Sequence, residues 1–314
     1  MSNELLLTIS IMVAFIASTI KKVYANSFSG GAKELNFCNT LICFFAIILF
    51  LCYGGFGSAS TFTILLAIVF GVVTGMQYLL TFKAISLGSW AYTTIISSLS
   101  TLIPTTSGWI FWGEPVSIFQ IFGIIFLVGC FMFSTDLSSK ENKKLSLTWL
   151  IYATLGGFIC TGLIGVLQKV HQTSAFGEER NAFLIISFII SLLFSFTFFI
   201  VALLKEKKLN VKNIENNLKF NGKELFSTKK YNSLLWIILI AVCGVSNALN
   251  NKFNLFLSGV FPTAFFFPMT SGTSLLLTTI FSVIIFKDKL KPKQWIGFAL
   301  GVVAFAFFCL SKIF

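Results

Sequence analysis

Acidic side chains are scarce in this chain. Its 314 residues carry 11 Asp and Glu against 23 Lys and Arg. No acid falls near the middle of an apolar run; Glu4 and Glu34 stand at run starts, and Glu114 and Asp288 sit between runs. A proton-exchanging exporter of organic cations needs a buried carboxylate that binds cation and proton in turn, so that mechanism is disfavoured. There is one histidine, His171, and one arginine, Arg180. The seven cysteines (Cys38, Cys43, Cys52, Cys130, Cys160, Cys243 and Cys309) follow no metal-ligand spacing and lie in or at the edge of apolar runs. They are expected to act as small apolar packing residues. No metal and no other cofactor is expected. A single histidine and no mid-run carboxylate leave a membrane-embedded enzyme without a catalytic set, so the chain is not expected to be one. No glycine-rich phosphate loop is present, which excludes ATP-driven transport by this chain alone. The first apolar run has neither a basic stretch before it nor a small-residue cleavage site, so it reads as a retained helix.

What the chain has is apolar length. Hydrophobic residues make up 56% and mean hydropathy is +0.90. A helix needs about 20 apolar residues to cross a bilayer. Ten runs reach that scale, at roughly 4–20, 35–53, 61–82, 88–111, 118–134, 147–168, 182–204, 233–257, 261–286 and 293–311. The expected fold is an all-α integral membrane protein with ten transmembrane helices, multi-pass in the cell membrane, with lipids as neighbours.

A net charge of +12 would suggest nucleic acid for a soluble protein. Here location matters more, and no nucleic-acid partner is expected. Of the 23 basic residues, 19 fall in or beside the connections after odd-numbered runs. The exceptions are Lys169, Arg180, Lys252 and Lys312. Basic residues stay cytoplasmic, which places the odd connections inside and both termini outside. The 205–232 connection, with eight lysines, is then cytoplasmic; Val211, Ile214 and Leu218 give part of it a helical apolar spacing that suits a membrane surface or a solvated linker equally.

The chain also repeats itself. Shifted by 174 residues, Glu114 meets Asp288, Gln120 meets Gln294, Gly123 meets Gly297, Ser97 meets Ser271 and Ser100 meets Ser274. The two halves are 1–135 and 147–314, joined by a linker at 136–146. Five helices in each half is an odd number, so the second half enters the membrane from the opposite side, an inverted repeat. Gly113-Glu114-Pro115 with Gln120 and Gly123, and the degenerate copy at Lys287-Asp288, Gln294 and Gly297, resemble the EamA-like branch of the drug/metabolite transporter superfamily. The resemblance covers nearly the whole chain in helix count and repeat layout. It implies transport of a small solute, and both termini inside, opposite to the charge distribution. Read without the family, Pro115 and Pro292 suit the first turn of a helix, and Glu114 and Asp288 a helix N-terminus, where negative charge is favoured.

Polar residues inside the runs are the candidates for a solute site. Asn247, Asn250, Asn251 and Asn254 share one helix face. Gly71 and Gly75 permit close helix contact, and Gln77 and Tyr78 follow them. Thr93 and Ser97 in the fourth run and Ser271 and Ser274 in the ninth occupy related places in the two halves. Pro268 and Gly272 could break the ninth run. Gln168, Lys169 and His171 end the sixth run. Candidate substrate-binding residues are thus Gln77, Tyr78, Thr93, Ser97, Gln168, Asn247, Asn250, Asn251, Ser271 and Ser274. Each has a packing alternative: interhelical hydrogen bonds for the carboxamides, bonds to the carbonyl one turn back for the hydroxyls. His171 is expected to be solvated at the membrane edge, and Lys83, Lys169 and Lys252 to snorkel to headgroups. Two functions stand: a secondary transporter of a small polar metabolite by alternating access around a central site, with facilitated diffusion or exchange as its mechanism; or a receptor or structural membrane protein with a degenerate pocket.

Overall fold

The computed structural model describes residues 2–27, 32–87, 90–134, 147–211, 233–285 and 292–311. Among them there is no strand. The helices are α1 (Asn3–Ser27), α2 (Ala32–Tyr53), α3 (Thr61–Leu87), α4 (Trp90–Leu99), α5 (Leu102–Trp112), α6 (Ile118–Ser134), α7 (Leu147–Tyr152), α8 (Thr161–Thr173), α9 (Arg180–Val211), α10 (Ser233–Val260), α11 (Thr263–Ile285) and α12 (Pro292–Leu310). A π-helical stretch, Ala153–Cys160, joins α7 to α8 without a break. Every apolar run of the sequence falls on a helix, the fourth on α4 and α5 and the sixth on α7 through α8.

Seven helical segments among the described residues are long and apolar enough to cross a membrane: Asn3–Ile20, Lys33–Tyr53, Thr61–Thr81, Leu147–Thr173, Arg180–Leu204, Leu234–Val260 and Pro292–Leu310. Ile118–Phe133 is a shorter apolar helix. Large apolar side chains point outward along these rods, with Leu65, Ile125 and Leu193 each more than half exposed. Soluble monomers rarely expose apolar surface on that scale. These are the marks of a multi-pass membrane protein.

The fourth run differs from the expected single helix. It breaks at Ser100–Thr101. Pro104 has no amide hydrogen to give Ser100, so the helical ladder cannot pass through this point. The Ser100 carbonyl this frees accepts the Ile103 amide instead, at 3.1 Å, and the turn tightens: the Ser97 carbonyl accepts the Ser100 amide at 3.3 Å and the Ser100 hydroxyl at 2.6 Å. The ninth run, where Pro268 and Gly272 suggested a break, is the unbroken helix α11. Pro292 opens α12 as expected, but Pro115 lies ahead of α6 rather than in its first turn. The linker 136–146, Asp288 with its flanking lysines, and Lys212 onward in the long basic connection lie outside the described residues; α9 carries that connection as helix to Val211.

The helices form two compact units, each drawing on both halves of the sequence. One comprises 1–15, 76–178 and 253–314. Its core gathers Leu7, Ile11, Leu127, Phe131, Leu257, Phe266 and Phe308. Here α6 and α12 lie side by side, with Phe126 and Phe307 stacked at 5.4 Å. Gly123 is the contact point: a methyl group added there would stand 2.9 Å from the Phe308 ring. Gln120 closes the start of α6, its Oε1 accepting the Ser117 amide at 3.1 Å while Ser117 Oγ accepts that of Phe119 at 3.3 Å. This is the reciprocal cap of a helix N-terminus.

The other unit comprises 16–75 and 179–252. Its core is Ala17, Cys38, Ile42, Trp236, Ile240 and Cys243, and α2 packs along α9. Gly71 and Gly75 serve the close approach expected of them. Ser191 Oγ of α9 donates to the Gly71 carbonyl at 3.2 Å, and a methyl on Gly75 would stand 2.8 Å from the Phe194 ring. Small residues and hydroxyls hold helices together where lipid offers no hydrophobic drive. Of the cysteines, Cys38, Cys43, Cys130, Cys160 and Cys243 are buried and Cys52 is exposed.

Candidate functional site

The first unit concentrates the polar features. The broken fourth run faces the π-helical stretch of the sixth. Gly156 and Gly157 make that contact possible. A methyl on Gly156 would stand 2.7 Å from the Thr81 backbone nitrogen of α3, and one on Gly157 would stand 2.5 Å from Ser97 Oγ of α4. The stretch is π-helical beside Thr161, whose hydroxyl donates five residues back to the Gly156 carbonyl at 3.2 Å. Wide turns of this kind are common at functional sites. The hydroxyls of Thr81 and Ser97 are buried here without a hydrogen-bond partner. A buried unpaired hydroxyl costs free energy unless water or a ligand completes it.

Two candidate hydroxyls in this run therefore have different fates. Thr93 Oγ1 accepts the Trp149 indole N–H at 3.1 Å, with both residues buried, and works as a helix tie. Ser97 keeps its hydroxyl unspent at the edge of the break. Gln168 is buried, and Gln77, Tyr78, Ser271 and Ser274 are half-buried in the same unit. In α11 a further hydroxyl, Thr273 Oγ1, is buried without a partner and lines a small niche with Leu127, Gly272 and Gly301.

The asparagine face is divided. Asn247, Asn250 and Asn251 are half-buried residues of the second unit. Asn251 Nδ2 donates to the Asn247 carbonyl at 2.8 Å, so its amide is partly spent on its own helix. Asn254, in the first unit, accepts from Ser10 Oγ at 2.8 Å.

The end of the sixth run departs most from expectation. Lys169 does not snorkel and His171 is not solvated; both are buried. Lys169 Nζ lies 2.8 Å from Glu114 Oε1 and donates to the Phe261 carbonyl at 3.3 Å. Glu114 Oε2 accepts the backbone N–H of Thr263 at 2.6 Å and its hydroxyl at 2.7 Å. Glu114 thus caps α11 rather than its own helix, and neutralises the one cation that turns inward among the described ends of these runs. Burial alone would raise the Glu114 pKa. The hydrogen bonds from Lys169 and Thr263, with the lysine charge, outweigh that and hold it below its ordinary value of 4.5. No feature of Glu114 alone announced this clasp. The one local signal was Pro262-Thr263 at the start of an apolar run.

The second unit has a similar clasp. Glu179 Oε2 accepts the Ser60 amide at 2.9 Å and the Ser60 hydroxyl at 2.8 Å, capping α3. Lys252 is half-buried, with Nζ 4.7 Å from the centre of the Tyr53 ring. Lys83 is exposed.

No family model matches the chain, and no curated protein matches it in sequence. A solved structure described only as "Crystal structure of protein" is similar over nearly the full length, at a TM-score of 0.67. The match covers 99% of this chain and 97% of that one, at 12% identity. At that identity the likeness concerns the fold alone.

Proposed function

We propose that this chain is a secondary transporter of a small polar metabolite, of the EamA-like kind, working by alternating access between two inverted five-helix halves in the cell membrane. The observation that carries this reading is the break at Ser100–Thr101 in the fourth run, set against the π-helical Ala153–Cys160 of the sixth. Interrupted backbone at membrane depth is tolerated only where protein buries it or where it lines a wet cavity. Discontinuous helices are how many transporters build a solute site. Ser97 and Thr81 supply hydroxyls with unspent hydrogen bonds beside the break.

Two further observations support the repeat. Among the described residues, extensive pairing joins the second with the seventh run (α2 and α9) and the fifth with the tenth (α6 and α12). A two-fold relation between five-helix halves pairs those same positions. Among the described residues, three clasps between helix ends join even-numbered connections: Glu114 to Thr263, Trp112 to Thr173, and Glu179 to Ser60. Alternating crossings put even connections on one side. In the orientation we favour from the basic residues, that side is outside.

A stability screen of the purified protein against a metabolite library tests the reading, because a ligand of the folded state raises Tm. The hit is then offered to proteoliposomes. Flux that needs the protein supports transport. A ligand that stabilises the protein but is never moved overturns it in favour of a receptor.

A further inference from the structure

We propose that α5 is a hinged gate and that the Glu114–Lys169 ion pair is the latch that holds it shut. This rests on the transport reading above. The 11 residues of α5 lie between two points where the α-helical ladder is interrupted, the first a turn tightened to three-residue bonds, a form that often marks a hinge. One is the break at Ser100–Thr101. The other is Gly113, whose φ of +58° is the left-handed conformation that ends the helix. A short rod between two such points turns as a body, and hinges absorb motion at a few element-terminal residues.

The latch sits at the far end of that rod. Glu114 follows the Gly113 hinge directly and reaches two other elements: Lys169 of α8 and Thr263 at the start of α11. Gly108 leaves the space, since any side chain there would meet the Thr263 hydroxyl and the Glu114 carboxylate. Trp112 adds a tie at the rim, its indole N–H donating to Thr173 Oγ1 at 3.1 Å. The buried face of α5 (Pro104, Thr105, Ser107 and Gly108) is closed off behind these contacts.

An ion pair is a costly way to fasten two helix ends. Its desolvation offsets most of its Coulomb attraction, and an apolar pair of the same volume often holds as well. Its advantage is that it can part: each charge finds water when the end opens, whereas an apolar contact resists exposure. A largely enclosed pair spanning a hinged segment is therefore suited to a two-state contact.

The test uses the full-length protein with Cys52→Ser and Cys309→Ser, which remove the exposed and half-exposed thiols, and Ser107→Cys as a near-isosteric reporter on the buried face of α5. A charged, water-soluble methanethiosulfonate is the probe, and mass spectrometry counts the labels. Glu114→Gln with Lys169→Met removes the pair and leaves no unpaired charge. The latch predicts that this variant takes up one label about tenfold faster than its parent, since the rate follows the open population. Trp112→Phe, which removes only the rim bond, should raise the rate less than loss of the ion pair does. Equal rates with and without the ion pair overturn the proposal. So does labelling that spreads to the buried native cysteines, or a pair variant that does not assemble, because either result makes the pair a structural staple. Labelling needs no solute, so it can fail while flux succeeds, and flux can fail while the latch result stands.

Discussion

The hydroxyl of Ser97 occupies the place that a side chain at Gly157 would need. A methyl group on Gly157 would stand 2.5 Å from Ser97 Oγ but 3.5 Å from Ser97 Cβ, an ordinary contact. Gly157→Ala should therefore destabilise the protein by about 1–3 kcal/mol, the range for overpacking. Ser97→Ala in the same chain should recover most of that. Gly156→Ala has no such rescue, since it meets Thr81 backbone. A double-mutant cycle on Tm measures the coupling; additive effects for Gly157 and Ser97 would contradict the packing described here.

Ser10 Oγ of α1 donates a hydrogen bond to Asn254 Oδ1 of α10. Such bonds within membranes are worth about 0.6 kcal/mol on average. Ser10→Ala should lower Tm slightly and leave flux near that of the native protein. A large loss of flux would move Asn254 from packing into the solute path.

Asn250 and Asn251 share the polar face of α10. Asn250→Leu and Asn251→Leu are each expected to reduce flux several-fold with little change in Tm. Normal flux in both variants would assign the face to packing.

The Glu114 clasp should show in acid stability. Its pKa in the folded protein lies below the ordinary 4.5, so the unfolded chain binds this proton more readily. The stabilisation is present above about 4.5 and is lost as pH falls through the lower folded value. Tm of the purified protein from pH 7 downward should fall more steeply than that of Glu114→Gln. At neutral pH, Glu114→Gln alone leaves Lys169 without its counter-charge and should cost about 3 kcal/mol or more. Matching acid limbs in the two proteins would refute the assignment.

The 205–232 connection is expected to be cytoplasmic. A cysteine at Lys212 in a chain lacking exposed thiols should resist an impermeant reagent in intact cells; rapid labelling would reverse the orientation.

The sequence by itself determined where the helices lie. An apolar run of bilayer length is a local property, and so is the proline that opens α12. It also determined that Gly71 and Gly75 serve contact, since two glycines a turn apart make a flat face whatever meets it. Which polar groups are spent, and on what, was decided only by tertiary structure. Ser97 and Thr93 read alike in the sequence, one turn apart, yet Trp149 takes one hydroxyl and leaves the other. Pro104 follows a turn that ends α4, whereas Pro268 is carried within the unbroken α11. Lys169 looked like any basic residue near a helix end. Its fate depended on a carboxylate from a distant turn, and a charge in a membrane protein is placed by the partner that neutralises it.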